Sequence, residues 1–228
     1  IANWKLHGNF DFIEDYYQKL SINSKNCIVI CSPSIYLNKL KTNGKNLYSG
    51  SQDVSEFEEG AYTGEISAKM LAENNINFCI VGHSERKQYF SENNYKINLK
   101  SKILIQHNII PIICIGETLE EKNKNMTKEI LKTQVEQSIP DIANFQNTIL
   151  AYEPIWAIGT GLTPSLDEIK EVHDFIKNIN KNYQNFKILY GGSVNALNSD
   201  DINSLKNVDG CLVGGASLKV SEFNSIIS

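Results

Sequence analysis

Long apolar runs are missing from this 228-residue chain. None reaches the roughly 18 residues that a membrane-spanning helix needs, so we expect no membrane partner. An excess of positive charge is missing as well, since the formal net charge is −4, and nothing in it favours nucleic acid as a partner. No leader-like or lipidation segment is recognisable, and we expect a cytoplasmic protein.

Cysteine is sparse, and the common metal and nucleophile motifs are absent. The five cysteines form no Cys-x-x-Cys pair, and no His-x-x-x-His, Gly-x-Ser-x-Gly or Gly-x-Gly-x-x-Gly occurs. These absences argue against zinc sites, serine hydrolases and dinucleotide enzymes. Each cysteine lies in or beside an apolar run, which predicts buried reduced thiols. A nucleophilic role stays open for Cys114, close to a predicted strand end.

Short apolar runs recur along the chain and alternate with amphipathic stretches. The runs are continuous, as strands buried on both faces are. Amphipathic helices are predicted at residues 12–20, 126–138 and 165–178, and the last begins with the capping-box pair Ser165 and Glu168. The eight predicted strands are residues 1–3, 27–31, 47–51, 78–81, 109–113, 148–152, 187–190 and 210–213.

Eight strand–helix units suit either a closed parallel barrel or a large open sheet. Polar and glycine residues decide between the two, because they follow the ends of several strands, whereas an open sheet would concentrate them at one switch point. We therefore predict an α/β fold with a closed barrel of eight parallel strands and outer helices, forming one domain over residues 1–228. The residues that follow strand ends are Asn3, Lys5, Gly82 to Arg86, Gly116, Glu117, Glu153, Gly191 to Ser193, Gly214 and Gly215.

Glu153 ends the sixth predicted strand, directly before Pro154 and close to Trp156. Burial disfavours the charged form of a carboxyl group and raises its proton affinity, which a general base at the mouth of a pocket requires. The segment that follows contains Gly159 and Gly161, and we predict that it is a lid that closes over a ligand.

His83 ends the fourth predicted strand and precedes a helix start. A helix N-terminus disfavours a protonated imidazole, so we expect a neutral ring that donates a hydrogen bond to a carbonyl group. Lys5 and Asn3 follow the first strand on the same face, where a cation would attract an anion and stabilise negative charge. With Glu153 as base, this set indicates proton abstraction next to a carbonyl group, through an enediolate.

Glycine-rich turns follow the last two predicted strands, at Gly191 to Ser193 and at Gly214 and Gly215. Glycine lets backbone N–H groups approach an anion closely, and a short helix from Gly215 would direct its positive end at a phosphate. The loops after strands seven and eight of parallel barrels often bind phosphate. We therefore predict a phosphorylated substrate.

Seven motifs resemble, in order, those of the triosephosphate isomerase family, and the resemblance covers the whole chain. It implies a TIM barrel and an aldose–ketose isomerase of glycolysis and gluconeogenesis. Such an enzyme interconverts dihydroxyacetone phosphate and D-glyceraldehyde 3-phosphate through an enediol(ate), with no metal and no cofactor. The motifs lie at residues 2–5, 60–67, 81–86, 114–119, 152–161, 190–195 and 209–218.

The resemblance also implies individual roles. Glu153 is the base and His83 the electrophile, a pairing well known for this family. Lys5 holds the substrate electrostatically, and Asn3 donates a hydrogen bond to it. Ser84 and Glu85 have supporting roles, with Glu85 supporting Lys5, and the backbone N–H groups of Gly159, Ser193, Gly214 and Gly215 hold the phosphate.

Family members are homodimers, and the resemblance implies the same here. The third loop, Gly60–Ser67, is long and has no neighbouring element to cover it, so an identical partner would bury it. By the resemblance, Thr63 meets the partner's Asn3 and Glu65 pairs with the partner's Arg86.

Two other functions are possible for a barrel of this kind. One is another phosphate-binding enzyme, such as an aldolase or a sugar-phosphate epimerase, and the other is a barrel retained as a binding or scaffold protein. A Schiff-base aldolase needs a lysine at a central strand end, where this chain has Glu153. A metal-dependent epimerase needs several ligands, and only His83 is placed at the mouth. A scaffold would have lost Glu153, His83 or Lys5. The chain departs from the family pattern at Leu6 and at Pro164, which falls in the trailing hinge of the lid.

Overall fold

The computed structural model describes residues 1–22, 25–160 and 162–228. One parallel sheet forms its centre, and its seven strands follow chain order, each paired with the next. The strands are β1 Ala2–Asn3, β2 Ile28–Ser32, β3 Leu47–Ser51, β4 Phe78–Val81, β5 Ile110–Ile115, β6 Ile149–Tyr152 and β7 Lys187–Tyr190.

Helical segments connect successive strands, as parallel pairing requires, and between β2 and β3 the segment is a 3₁₀ helix at Ser34–Lys39. The predicted helix at residues 165–178 is confirmed: the Ser165 hydroxyl accepts from the Glu168 N–H, and the Glu168 carboxylate accepts from the Ser165 N–H. Among the described helices, none is long and apolar enough to cross a membrane. The helices are α1 Phe10–Lys19, α2 Ala68–Glu73, α3 Ser84–Phe90, α4 Asn94–Gln106, α5 Leu119–Asn123, α6 Thr127–Ser138, α7 Leu166–Asn178, α8 Ser199–Asn203 and α9 Val220–Ile227.

The eighth predicted strand, at residues 210–213, is not a strand in the structure. Cys211 forms an isolated parallel bridge with Tyr190 of β7, and Val213 forms another with Ala2 of β1. Cys211 and Val213 thus pair with different strands. The segment does not form two consecutive pairs with either strand, which a β-strand requires. The prediction of eight strands is corrected to seven strands and a bridged segment, and that segment joins β7 to β1 across the gap in the ring.

Most strand residues are apolar, as burial of both faces of the sheet requires, although β3 contains Ser49 and Ser51 and β7 begins at the exposed Lys187. One set of side chains forms a cluster made of strand residues and the bridged segment, including Val29, Ile80, Ile112 and Leu212. The side chains between them in sequence, such as Ile30, join a larger cluster that contains the buried faces of the helices. Because both faces are buried, the strands appear in the sequence as continuous apolar runs and not as alternating apolar and polar residues.

The cysteines are free thiols, and four of them are buried as predicted. Cys27 is the exception and is exposed, because β2 begins only at Ile28. The prediction that every cysteine is buried is therefore wrong at this one position, where the apolar run of the sequence starts one residue before the strand.

Candidate active site

A pocket of about 350 Å³ opens at the carboxyl ends of the strands. Its walls come from segments that follow β1, β4, β6, β7 and the bridged segment, so residues far apart in sequence meet there. Of the predicted site residues, the pocket is lined by Asn3, Lys5, His83, Glu153, Gly159, Ser193, Gly214 and Gly215. Glu85 lines a second cavity beside it, which shares Asn3, Lys5 and His83 with the first.

Glu153 follows β6 directly and is 3 % exposed. Its backbone N–H donates to the Ile115 carbonyl at 2.7 Å, which continues the pairing with β5 past the strand end. One carboxylate oxygen, Oε1, lies 3.2 Å from His83 Nε2, and the other accepts from the Ser84 N–H at 3.3 Å. Ser84 thus supports the carboxylate with its backbone, at the positive end of α3.

His83 is the N-cap residue of α3. Its Nδ1 accepts a hydrogen bond from the Glu85 N–H at 3.2 Å. A backbone N–H can only donate, so this Nδ1 carries no proton and a neutral ring has its proton on Nε2. That nitrogen is the one directed at Glu153. This arrangement leaves Nε2 as the ring nitrogen that can donate a hydrogen bond.

Lys5 has a backbone φ of +49°, a left-handed conformation that costs energy for a non-glycine residue. Two side chains hold it there: Asn3 Oδ1 accepts from the Lys5 N–H at 3.0 Å, and Gln52 donates to the Lys5 carbonyl at 3.0 Å. The ammonium group lies 2.6 Å from Glu85 Oε1. The supporting contact expected between Glu85 and Lys5 is therefore present in the structure.

Two glycines allow the neighbouring loops to pass close to Glu153. A Cβ atom on Gly116 would collide with the Glu153 carbonyl group, and one on Gly191 would lie 2.8 Å from Glu153 Cγ. The loop after β5 therefore packs on the backbone of Glu153, and the loop after β7 packs on its side chain. Gly191 was placed by sequence in a phosphate-binding turn, whereas its backbone packs on the predicted base.

The glycine-rich side of the pocket presents mainly backbone. A short 3₁₀ helix begins at Gly215, as expected. Ser193 Oγ donates to the Ala157 carbonyl at 2.7 Å, which attaches the loop after β7 to the predicted lid. A Cβ on Gly214 would lie 3.3 Å from Lys5 Cε, so the Lys5 side chain passes close to this side. Gly161, part of the predicted lid, lies outside the described residues.

Glu117 anchors Ile155 and Trp156 directly before the predicted lid, a role that the sequence did not reveal. It is 1 % exposed, and its Oε1 accepts from Trp156 Nε1 at 2.8 Å and from the Tyr152 hydroxyl at 3.3 Å. Its backbone carbonyl accepts from the Ile155 N–H at 3.0 Å. Burial raises the pKa of Glu117, while the bonds from Trp156 and Tyr152 oppose this rise. The only sequence signal was a carboxylate directly after a strand end.

Cys114 is buried beside this site. Desolvation, and then the negative charge of Glu153, raise the pKa of its thiol well above the ordinary value. A thiol that stays protonated is a poor nucleophile, which argues against the alternative left open for Cys114. Within residues 1–22, 25–160 and 162–228, no group of three histidine, cysteine or acidic side chains could hold a metal ion.

Comparison with known proteins decides the family. The family model described as triosephosphate isomerase matches residues 1–228. The chain belongs to the triosephosphate isomerase family. A relative named triosephosphate isomerase from Mesomycoplasma hyorhinis is 41 % identical over 238 residues, covering 100 % of this chain and 96 % of the relative. Another from Clostridium tetani is 40 % identical over 242 residues, covering 100 % and 94 %.

A solved structure extends the triosephosphate isomerase assignment to the fold. The crystal structure of triosephosphate isomerase from Bartonella henselae matches with a TM-score of 0.90 and 33 % identity, over 99 % of this chain and 95 % of that one. The predicted barrel class and the prediction of an isomerase are confirmed. The aldolase, epimerase and scaffold alternatives are therefore rejected. The roles of individual residues stay predictions.

Proposed function

We propose that this chain interconverts dihydroxyacetone phosphate and D-glyceraldehyde 3-phosphate in glycolysis and gluconeogenesis. The supporting observation is the geometry of the base and its neighbour. Glu153 is buried with Oε1 3.2 Å from His83 Nε2, while His83 Nδ1 is occupied by the Glu85 N–H. A carboxylate and a neutral donating imidazole side by side suit proton transfer next to a carbonyl group.

In the proposed reaction Glu153 removes a proton from the carbon next to the substrate carbonyl and, after exchange with solvent in part of the turnovers, delivers a proton to the former carbonyl carbon. The carbonyl oxygen ends as a hydroxyl and the neighbouring hydroxyl ends as a carbonyl, so one proton also passes between the two oxygens, by way of His83 Nε2. The carbonyl oxygen becomes negative in the enediolate, and the Nε2–H of His83 donates to it. The Lys5 ammonium, held by Glu85 at 2.6 Å, adds positive charge nearby. Asn3 accepts from Lys5 with Oδ1, which leaves its amide N–H groups to donate to substrate.

The proposed phosphate site uses the backbone N–H groups of Gly159, Ser193, Gly214 and Gly215. All four residues line the pocket, and the close approach of the Lys5 stem to Gly214 supports a cation near this group. The lid that begins after Trp156 would close over the phosphate. Closure would exclude water and protect the enediolate from losing its phosphate.

We also propose a homodimer formed through loop Gly60–Ser67. Residues 60–65 are exposed in the single chain, and the Tyr62 ring stacks on Phe57 at 3.8 Å near the loop tip. The second cavity, about 450 Å³, would receive the loop of the other subunit, with Thr63 beside the partner's Asn3. Large exposed apolar side chains surround this region, which supports a covering partner: Leu6, Ile35 and Phe90.

A pairing of Glu65 with the partner's Arg86 is part of the same proposal. Arg86 already lies 2.8 Å from Asp53 in its own chain, so Glu65 would join an existing ion pair. We further propose one catalytic domain over residues 1–228, a cytoplasmic location and no requirement for a cofactor. The location is supported by the free cysteines, which suit a reducing compartment.

The isomerisation is tested by a coupled assay in each direction, followed by turnover in D₂O. Because Glu153 can exchange its proton with solvent before it returns one, proton transfer through an enediolate places some solvent deuterium in the product, whereas a direct hydride shift places none. Deuterium-free product would contradict the mechanism, and absence of turnover would contradict the function. For the dimer, light scattering at micromolar concentration should give twice the chain mass, and a fully active monomer would contradict that proposal.

A further inference from the structure

Lys122 lies in α5 and contacts segments on both sides of the lid. Its Nζ is 3.6 Å from the centroid of the Trp156 ring, within the range of a cation–π contact. The same atom is 3.0 Å from Glu168 Oε1. The predicted lid is residues 157–161, with a leading hinge at residues 154–156 and a trailing hinge at residues 162–164. Trp156 ends the leading hinge, and Glu168 lies in the first turn of α7, just beyond the trailing hinge.

Both partners of Lys122 are themselves held in place. Trp156 donates its indole N–H to the buried Glu117 at 2.8 Å. Glu168 accepts from the Ser165 N–H at 2.8 Å, within the capping box that starts α7. The Ser165 N–H, followed by Lys122, lowers the pKa of Glu168, so this carboxylate is charged at neutral pH.

We propose that Lys122 is a positioning residue for the lid, whose ammonium ties the leading hinge at Trp156 to the helix start at Glu168 behind the trailing hinge. The inference rests on the proposed function, because the lid matters only if a phosphorylated substrate is enclosed. By holding both ends, Lys122 limits the orientations that the lid must lose when it closes, which favours binding of the enclosed state.

A neighbouring ion pair shows what a simple surface contact looks like here. Lys128 of α6 lies 2.6 Å from Glu171 of α7, one turn further along the same helix as Glu168. Its nearest ring contact is Phe175, at 5.9 Å, also in α7. Lys128 thus joins two helices without touching the lid, and Lys128→Met is a matched control for Lys122→Met.

The first test is spectroscopic and needs no substrate. The chain contains two tryptophans, and Trp4 is fully buried, so Trp4→Phe leaves Trp156 as the single indole emitter. In that background Lys122→Met should shift the emission maximum of Trp156, because it removes a charge over the ring. Glu168→Gln should give a smaller shift, Lys122→Arg should restore the original emission, and Lys128→Met should leave it unchanged.

The second test is kinetic and uses 2-phosphoglycolate as a phosphorylated analogue of the enediolate. Loss of a cation–π contact corresponds to about a two- to fivefold weakening of analogue binding in Lys122→Met. KM should rise by a similar factor, since the lid closes over the phosphate, and kcat should change less. Lys122→Arg should recover both parameters.

The outcomes separate this inference from the function on which it rests. An active Lys122→Met protein with the emission and analogue affinity of Lys128→Met would overturn the inference and leave the isomerase function standing. An unsubstituted protein without isomerase activity would overturn both. Tighter analogue binding in Lys122→Met would show that Lys122 resists closure, which also contradicts the inference.

Discussion

The two halves of the pocket are built in different ways. The reacting half consists of side chains, with Glu153 and His83 buried against each other and Lys5 held by Glu85. The other half, which we propose binds the phosphate and call the phosphate half, consists mainly of backbone, presented by glycine-rich turns such as Gly214 and Gly215. A group whose charge changes during the reaction needs a titratable side chain. A substrate charge that stays constant can be met by fixed N–H dipoles.

One glycine beside each half shows how the space around the backbone differs. A Cβ atom on Gly191 would press on Glu153 Cγ at 2.8 Å, whereas one on Gly215 would meet nothing within 4 Å. A methyl group at Gly191 should therefore displace the base, while one at Gly215 should be tolerated. Five substitutions test this contrast, in order of decreasing effect, with the matched glycine pair ranked by the larger of its two effects.

Replacing Glu153 with glutamine should have the largest effect. The substitution keeps the size of the side chain and removes the base, and general base catalysis contributes about 10²–10⁴ in rate. We expect kcat to fall by that factor while 2-phosphoglycolate still binds through the phosphate half. Steady-state kinetics and analogue titration measure the two quantities. Turnover close to that of the unsubstituted protein would rule out Glu153 as the base.

Lys5→Met should rank second because it removes charge and keeps the apolar stem. A hydrogen bond to a charged group is worth about 1.5–3 kcal/mol, or roughly 10- to 100-fold. We expect both KM and kcat to worsen with the fold intact by circular dichroism, since the remaining Glu85 carboxylate is partly exposed to water. If the kinetics at low salt were unchanged, the electrostatic role of Lys5 would have to be abandoned.

Gly191→Ala and Gly215→Ala form a matched pair, one in each half. Neither glycine has a positive φ, so alanine fits both backbones and only the space around Cβ differs. Small displacements of catalytic groups are costly, and we expect a loss of about tenfold in kcat for Gly191→Ala. For Gly215→Ala we expect less than about a twofold loss. Equal losses in the two variants would remove the contrast between the halves.

Pro164→Ala should have a smaller effect than Glu153→Gln, Lys5→Met and Gly191→Ala. Proline restricts its own backbone and that of Thr163, so the lid has fewer conformations to lose on closing. Removing this restraint costs about 0.4–1 kcal/mol where the native angle suits proline, or roughly a two- to fivefold weaker binding of 2-phosphoglycolate. Because Pro164 is buried, a thermal melt should accompany the titration. Tighter binding would mean that proline hinders closure.

Most of the architecture was readable from local patterns. The strands β3, β4 and β7 have the predicted bounds. Burial of both faces leaves an uninterrupted apolar run in β4, whereas β3 ends in Ser49, Gly50 and Ser51. The failure at residues 210–213 has a geometric cause: strand status depends on consecutive pairing with one neighbour, and this segment forms a single bridge with each of two neighbours. Cys27 was misassigned because hydrophobicity does not reveal where pairing begins.

Sequence by itself determined the barrel class, the family and the identity of the polar residues at the strand ends, since each depends on residue types in a fixed order. Only the tertiary structure decided which of them touch. The proton position on His83 depends on the Glu85 N–H, the enclosure of Glu153 depends on Gly116 and Gly191, and the anchoring of Trp156 depends on Glu117 and Lys122. Such contacts join different loops across the barrel mouth, and no local pattern encodes a distance between residues that folding alone brings together.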